Sequence, residues 1–166
     1  MTVRIGIIGT SWWADAMYLP ALADHPDGAI TAICGRDPDR TVAFAARWGI
    51  EEVHTDWAAM LDGGTVDAVI ISSPNDTHHA MVLAAADRGI HLLCEKPVAL
   101  DAEQAWEMVD ATTAAGLTTM VPFTYRWMPT NQWIKALIAL RDRLLATARH
   151  AVPIALPTPR RRARTT

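Results

Sequence analysis

The sequence predicts an α/β protein with a doubly wound parallel sheet. Apolar runs rich in β-branched residues alternate about six times with segments of helical spacing, and the connections between them are short. One run, residues 66–71, is almost continuously apolar, as a strand buried on both faces requires. Alternation of this kind builds a parallel sheet with right-handed crossovers and with helices on both faces.

The predicted strands and helices follow one another in strict order along the chain. Strands are predicted from residue 3, at 29–34, near 53, and at 66–71, 90–94 and 117–121. Helices are predicted at 12–25, 38–48, 57–61, 79–88, 103–115 and 129–149. Asp37 and Asp56 are expected as helix N-caps. The spacing places Ala16, Leu19 and Ala23 on one face of the first helix.

The first strand leads into a turn of small residues whose spacing is typical of a dinucleotide-binding loop. Gly9, Ser11 and Ala14 match the pattern G-x-G-x-x-G/A, except that serine replaces the second glycine. In such a loop, backbone N–H groups approach a pyrophosphate at the helix N-terminus. The Ser11 hydroxyl would either hydrogen-bond a phosphate or narrow the site. A strand-turn-helix connection without a ligand is the alternative.

Polar clusters follow four of the predicted strands. They lie at residues 9–11, 35–37, 72–78 and 95–97. The carboxyl ends of parallel strands share one edge of a sheet, and ligands bind there, near the point where the strand order reverses. We therefore expect these four clusters to form one site.

Composition and charge limit the classes of protein to which this chain can belong. A chain of 166 residues, 51% of them hydrophobic, is expected to form one domain with a substantial core. No window of about 18 apolar residues and no charged leader occurs, which predicts a soluble, cytoplasmic protein without a membrane partner. Cys34 and Cys94 lie in apolar runs and are expected to be reduced core thiols.

The net charge of −3 conceals a basic C-terminus. Four of the 15 basic residues are arginines at positions 160–164, so the rest of the chain carries 11 basic against 18 acidic residues, a net −7. This acidic body gives no reason to expect nucleic-acid binding. No metal site is predicted, because the histidines and cysteines lack zinc-ligand spacing.

Four motifs in register resemble the N-terminal half of the Gfo/Idh/MocA oxidoreductases. They are the glycine turn, Ser73-Pro74-Asn75-Asp76-Thr77-His78, Glu95-Lys96-Pro97, and Phe123-Thr124-Tyr125-Arg126. The resemblance covers residues 3–138 and departs from the family at Ser11 and at Thr124, where many relatives carry asparagine. It implies a Rossmann fold that binds NADP or NAD, and hydride transfer between nicotinamide and a carbinol carbon of a sugar or polyol.

The resemblance also implies the site residues. The cofactor-binding residues are expected to be Gly9, Thr10, Ser11, Trp12, Arg36, Asp37, Arg40, Ser73, Pro74, Asn75, His78, Glu95, Lys96 and Arg126. Lys96 is the expected catalytic residue, because an ammonium can hydrogen-bond a substrate hydroxyl and stabilise charge that develops during hydride transfer. The alternative is a surface lysine paired with Glu95. The Lys96–Pro97 bond is expected to be cis.

Three further side chains receive specific roles from the resemblance. Asn75 and His78 are expected to face the nicotinamide and its ribose, with the Ser73 backbone against the cofactor. Capping of the next helix by Asn75 or Thr77 is the alternative, and we expect the two roles together. Glu95 is expected either to contact the nicotinamide ribose or to orient Lys96.

The end of the second strand favours NADP over NAD. An acidic residue there would hold the ribose hydroxyls of NAD and repel a 2′-phosphate. Gly35 occupies that place, followed by Arg36, with Arg40 as a second phosphate contact. Asp37 could still reach the ribose, and Arg36 as a plain surface charge is the alternative.

The chain is expected to divide into a dinucleotide-binding domain at residues 1–127, a helix at 128–150, and a disordered Arg/Pro-rich tail at 151–166. The family's second, α+β domain, which completes the substrate site, has no counterpart in the sequence. We therefore expect a truncated enzyme with incomplete catalysis. A non-catalytic dinucleotide-binding module or a degenerate remnant is the alternative. Surface that the missing domain would cover is expected to favour self-association.

Overall fold

The computed structural model describes residues 2–151. It contains one compact unit, Met1–Pro122, and a second that begins at Phe123. Of the tail expected to be disordered, residues 151–166, Ala151 ends a helix and residues 152–166 lie outside the described residues. The predicted boundary at residue 127 stays a prediction.

The first unit is built on a six-stranded, all-parallel sheet. Its strands are β1 (Val3–Ile8), β2 (Gly28–Cys34), β3 (Glu52–His54), β4 (Ala68–Ile71), β5 (His91–Cys94) and β6 (Thr119–Met120). The spatial order is β3-β2-β1-β4-β5-β6. The chain therefore runs outward from β1 to one edge and returns to start the other half at β4. This doubly wound order confirms the predicted α/β fold.

Helices connect the strands. They are α1 (Leu19–Leu22), α2 (Pro38–Trp48), α3 (Trp57–Asp62), α4 (His78–Asp87), α5 (Ala102–Ala114) and, in the second unit, α6 (Pro129–Ala151). Short 3₁₀ turns lie at Asn75–Thr77 and Thr124–Trp127. The carboxylates of Asp37 and Asp56 accept hydrogen bonds from the backbone N–H groups of Arg40 and Ala58, which confirms both predicted N-caps.

The first helix differs from the prediction in its end and in its buried face. It begins at Trp12, passes through a π-helical segment (Ala14–Tyr18) and ends at Leu22. The Leu19 N–H donates to the Ala14 carbonyl five residues back, so these two side chains share the fully buried face. Ala16 and Ala23 are exposed. The predicted face was therefore right at Leu19 only: the π turn shifts the period between Ala16 and Leu19, and Ala23 lies beyond the end of the helix.

Hydrophobic side chains fill both faces of the sheet. On one face, Ile7 and Ile33 pack against Leu19 and Phe44. The other face holds a larger cluster that includes both cysteines. Burial raises the pKa of the Cys34 thiol to about 11 and that of Cys94 to about 12. Both thiols are free and buried, as predicted.

Several large apolar side chains remain exposed. In α6 they include Trp133, Leu137, Leu140 and Leu144, which follow one another at intervals of three or four residues. Self-association through such a surface stays a prediction. Within the part of the chain that the structure describes, no helix combines the length and the apolar character that crossing a bilayer requires.

Candidate functional site

A groove of about 420 Å³ opens at the carboxyl ends of β1, β2 and β4, where the strand order reverses. It is lined by Ile8, Gly9, Thr10, Ser11, Cys34, Gly35, Arg36, Asp37, Arg40, Thr55, Trp57, Ser72, Ser73, Pro74, Thr77 and Met81. All of these residues belong to the first unit. Three of the four predicted clusters therefore meet in one groove, at the edge where doubly wound sheets bind ligands.

The turn after β1 requires glycine at position 9. Its φ angle is +115°, and a Cβ atom built there would lie 2.3 Å from the Ser72 carbonyl oxygen. Its N–H donates to the Cys34 carbonyl at 2.8 Å. Gly9 thus lets the turn pass directly against the loop after β4.

Ser11 caps the first helix. Its Oγ accepts a hydrogen bond from the Ala14 N–H at 3.1 Å and lies 3.0 Å from Ser72 Oγ. The Asp15 N–H donates to the Ser11 carbonyl, which starts the helical pattern. The backbone N–H groups of Trp12 and Trp13 belong to the first turn of the helix, where N–H groups have no partner within the helix and commonly bind anions.

Replacing Ser11 with alanine is expected to destabilise the first unit by about 1 kcal/mol, because the Ala14 N–H loses its capping acceptor. Replacing it with glycine, which restores the usual loop pattern, is expected to cost only a few tenths of a kcal/mol. Urea unfolding of both variants measures the difference. Equal losses would mean that the Ser11 cap contributes nothing to stability.

At the end of β2, position 35 has no room for a side chain, acidic or otherwise, and two arginines lie nearby. A Cβ atom on Gly35 would lie 2.3 Å from Oγ1 of the fully buried Thr41 and 2.9 Å from Cγ2 of Thr10. Arg36 and Arg40 both line the groove. The Arg40 guanidinium also donates to the Thr10 carbonyl at 2.5 Å. This end of the groove is therefore basic.

Asp37 supplies the only carboxylate among the groove residues. This carboxylate already accepts a hydrogen bond from the backbone of α2. One carboxylate oxygen accepts a hydrogen bond from the Arg40 N–H at 3.1 Å. The capping role is thus established. The predicted contact of Asp37 with a ribose stays a prediction.

The loop after β4 is held by hydroxyl groups. Ser73 Oγ lies 2.7 Å from Thr77 Oγ1, and Thr77 Oγ1 donates to the Pro74 carbonyl at 2.6 Å. Neither Asn75 nor Thr77 caps α4 with its side chain, so that expectation was wrong. The 3₁₀ turn already directs the chain into the helix, and the Thr77 hydroxyl is used within the loop.

His78 lies in the interior and has no exposed surface. Its Nδ1 is 3.0 Å from the Pro97 carbonyl oxygen, and its Nε2 is 3.0 Å from the Ser73 carbonyl oxygen. Both ring nitrogens therefore face backbone of the protein. The ring is thus interior in this structure, and a contact of His78 with a nicotinamide stays a prediction.

Glu95 is buried beneath the lysine that follows it. It is 7% exposed, accepts a hydrogen bond from the Tyr18 hydroxyl, and accepts a second from the Lys96 backbone N–H at 3.0 Å. Burial, and then the hydrogen bond to Glu95, raise the pKa of Tyr18 well above its ordinary value. Tyr18 thus keeps its proton and remains a donor.

Lys96 is exposed, and its Nζ lies 5.9 Å from the centre of the Trp13 ring. No salt bridge joins it to Glu95 among the described residues. The alternative of a surface lysine paired with Glu95 is thus right in its exposure and wrong in its ion pair, and the catalytic role of Lys96 stays a prediction. The Lys96–Pro97 bond is cis, as the resemblance implied.

Eight of the predicted site residues line the groove: Gly9, Thr10, Ser11, Arg36, Asp37, Arg40, Ser73 and Pro74. Trp12, Asn75, His78, Glu95 and Lys96 lie in the first unit outside the groove lining, and Arg126 lies in the second unit. Cofactor contacts by these residues stay predictions.

Sequence reasoning missed Thr55, Trp57 and Met81, which also line the groove. Thr55 follows β3 directly, so the strand-end rule that found the other clusters could have found it. Trp57 and Met81 carry no such signal. Within residues 2–151, no group of three His, Cys, Asp or Glu side chains could hold a metal ion.

A doubly wound parallel sheet with a glycine turn and a groove at its switch point defines a Rossmann-type dinucleotide-binding domain. The profile of the family described as "Oxidoreductase family, NAD-binding Rossmann fold" matches residues 3–123. The chain belongs to this family, the Gfo/Idh/MocA oxidoreductases. The predicted cofactor class, NAD or NADP, is thereby confirmed.

Named relatives are similar over most of this chain. D-xylose 1-dehydrogenase (NADP(+)) 2 of Haloferax volcanii is 37% identical over 82% of the chain, and scyllo-inositol 2-dehydrogenase (NADP(+)) IolU of Bacillus subtilis is 33% identical over 80%. These matches span 42% and 40% of the two relatives. The chain thus covers less than half of their length.

Solved structures show the same likeness. KijD10, a 3-ketoreductase from Actinomadura kijaniata in complex with TDP-benzene and NADP, superposes with a TM-score of 0.78 at 32% identity, over 84% of this chain and 44% of that one. An oxidoreductase from Agrobacterium radiobacter in complex with NAD⁺, L-tartaric acid and magnesium gives 0.79 at 31% identity, over 84% and 40%.

Proposed function

We propose that this chain binds NADP in the groove and serves as the cofactor-binding part of an oxidoreductase that acts on a sugar or polyol. The groove supports the proposal most directly. It joins an obligatory glycine turn and a helix N-terminus to two arginines at the end of β2. That combination suits a pyrophosphate at one point and a further phosphate at another.

The preference for NADP rests on the β2 end. Arginine pairs with a phosphate through two parallel N–H donors, and Arg36 and Arg40 both line this part of the groove. An acidic residue at position 35, which would favour the free ribose hydroxyls of NAD, would collide with Thr41. The names of the Haloferax and Bacillus relatives both specify NADP(+).

The substrate class rests on the relatives, which are named as dehydrogenases of xylose and scyllo-inositol. When bound, the nicotinamide ring would donate or accept the hydride. The Lys96 ammonium would hydrogen-bond the oxygen on the reacting carbon and stabilise the charge that develops there. Lysine can also exchange a proton with that oxygen, which arginine cannot do. Glu95 holds the Lys96 backbone through its N–H.

Isothermal titration of the purified chain with NADP and with NAD tests the proposal. We expect saturable binding of both, with NADP at least about tenfold tighter, because a charge-assisted hydrogen bond contributes about 1.5–3 kcal/mol. The proposal would be overturned if neither NADP nor NAD bound to the chain. Steady turnover of a polyol by this chain alone would exclude the non-catalytic module.

A further inference from the structure

The residues before and after Lys96 both make hydrogen-bond contacts with other parts of the fold. We propose that Tyr18 and His78 are positioning residues that hold the lysine segment, residues 95–97, in place for the nicotinamide half of the cofactor. This inference rests on the proposed function. Tyr18 acts on Glu95, which precedes the lysine, and His78 acts on Pro97, which follows it.

On the N-terminal side, Tyr18 connects the lysine segment to the helix of the glycine turn. Its hydroxyl donates to one carboxylate oxygen of Glu95, and the other oxygen accepts the Lys96 N–H at 3.0 Å. A carboxylate as buried as that of Glu95 needs such donors to offset its lost hydration. The orientation of Glu95, and with it the Lys96 backbone, therefore depends on Tyr18.

The Tyr18 contact with Glu95 is made from the end of the π-helical segment. Tyr18 is the last residue of that segment, and Leu19 directly after it is fully buried in the core. The core thus anchors the helix at the residue next to Tyr18. Insertion of a π turn at a functional position is a known use of this geometry.

On the C-terminal side, His78 connects the lysine segment to the loop after β4. Carbonyl oxygens only accept hydrogen bonds, so the protonated ring nitrogen of a neutral imidazole donates to one of the two carbonyls, of Pro97 or Ser73, while the other nitrogen lies 3.0 Å from the second. The Ser73 loop lines the groove, and the lysine segment lies outside the groove lining. A single buried ring thus links the two.

Lys96 itself makes a third contact with the same parts of the fold. Its Nζ lies 5.9 Å from the centre of the Trp13 ring, on the helix that also carries Tyr18. The ring face attracts a cation. The glycine-turn helix therefore contacts the lysine segment through Tyr18 and Trp13, and the loop after β4 contacts it through His78.

The test compares a whole dinucleotide with its adenosine half. Tyr18→Phe removes one hydroxyl, and His78→Gln removes the imidazole. We expect each variant to bind NADP about tenfold more weakly and to bind adenosine 2′,5′-bisphosphate within about twofold of the unmodified chain. The controls are Tyr125→Phe and His79→Gln, because Tyr125 is exposed and His79 pairs with Glu107 on the surface. Both controls should bind both ligands normally.

A double-mutant cycle shows whether Tyr18 acts through the lysine. In a Lys96→Ala background, the Tyr18→Phe penalty on NADP binding should disappear, because the group that Tyr18 positions is gone. Equal losses for NADP and the bisphosphate would show a general structural effect and would overturn the inference. An unchanged NADP affinity in Tyr18→Phe would overturn it as well.

Hydrogen exchange of the ligand-free chain separates this inference from the proposed function. We expect amides of residues 94–100 to exchange at least about tenfold faster in Tyr18→Phe than in Tyr125→Phe, with α2 unchanged. Unchanged exchange in this segment would overturn the positioning role, even if the chain bound no cofactor. If His78→Gln does not fold, Tyr18→Phe alone decides the outcome. Failure of the unmodified chain to bind NADP would overturn the proposed function only.

Discussion

Replacing Gly9 with alanine is expected to destabilise the first unit by about 3 kcal/mol and to abolish dinucleotide binding. The new methyl group would lie 2.3 Å from the Ser72 carbonyl oxygen, so the turn or the loop after β4 must move. The φ angle of +115° adds backbone strain that glycine alone avoids. Denaturant unfolding measures the first effect, and titration with NADP measures the second.

A matched control separates the collision from the backbone angle. Gly64 also has a positive φ angle, +67°, but a Cβ atom there meets nothing within 4 Å. Gly64→Ala should therefore cost only about 1 kcal/mol and leave NADP binding unchanged. Equal destabilisation by the two variants would contradict the close approach of the turn to Ser72.

Removing both arginines at the β2 end is expected to weaken NADP binding about 100-fold and to leave NAD binding within about threefold. NAD lacks the 2′-phosphate, so it loses no charge-assisted hydrogen bond in Arg36→Ala/Arg40→Ala. Arg36→Ala alone isolates one phosphate contact, because Arg40 also donates to the Thr10 carbonyl. Parallel titrations with the two dinucleotides measure the ratio.

The control for net charge is Arg88→Ala. Arg88 follows α4, pairs with Asp62 and precedes β5, at the sheet edge opposite the groove. It should change neither affinity. If the double variant instead lost NADP and NAD affinity equally, Arg36 and Arg40 would serve the shared part of the cofactor, and the preference for NADP would lack its structural basis.

Local chemistry predicted the fold well. The strand β4 is an apolar run because parallel strands are covered on both faces, and Asp37 and Asp56 cap helices because their short side chains reach backbone N–H groups nearby. These features depend on neighbours within a few residues. The same holds for the three polar clusters of the groove, since each directly follows its strand.

Contacts between distant segments could not be predicted in this way. Tyr18 and Glu95 are 77 positions apart, and His78 and Pro97 are 19 apart. No local pattern distinguishes a histidine that faces a ligand from one buried between two carbonyl groups. The π turn that places Tyr18 also escapes a search for helical period, because it changes that period over five residues only.

The sequence by itself determined the class of fold, the order of its elements, the family and the groove residues that follow strand ends. The fold class, the order of its elements and the strand-end residues follow from short-range periodicity and from the rule that parallel strands end at one edge, whereas the family follows from its four motifs. Only the tertiary structure decided that His78 is interior, that Glu95 pairs with Tyr18, and that Gly9 passes against Ser72. Such contacts depend on the packing of segments far apart in the chain, which local pattern does not encode.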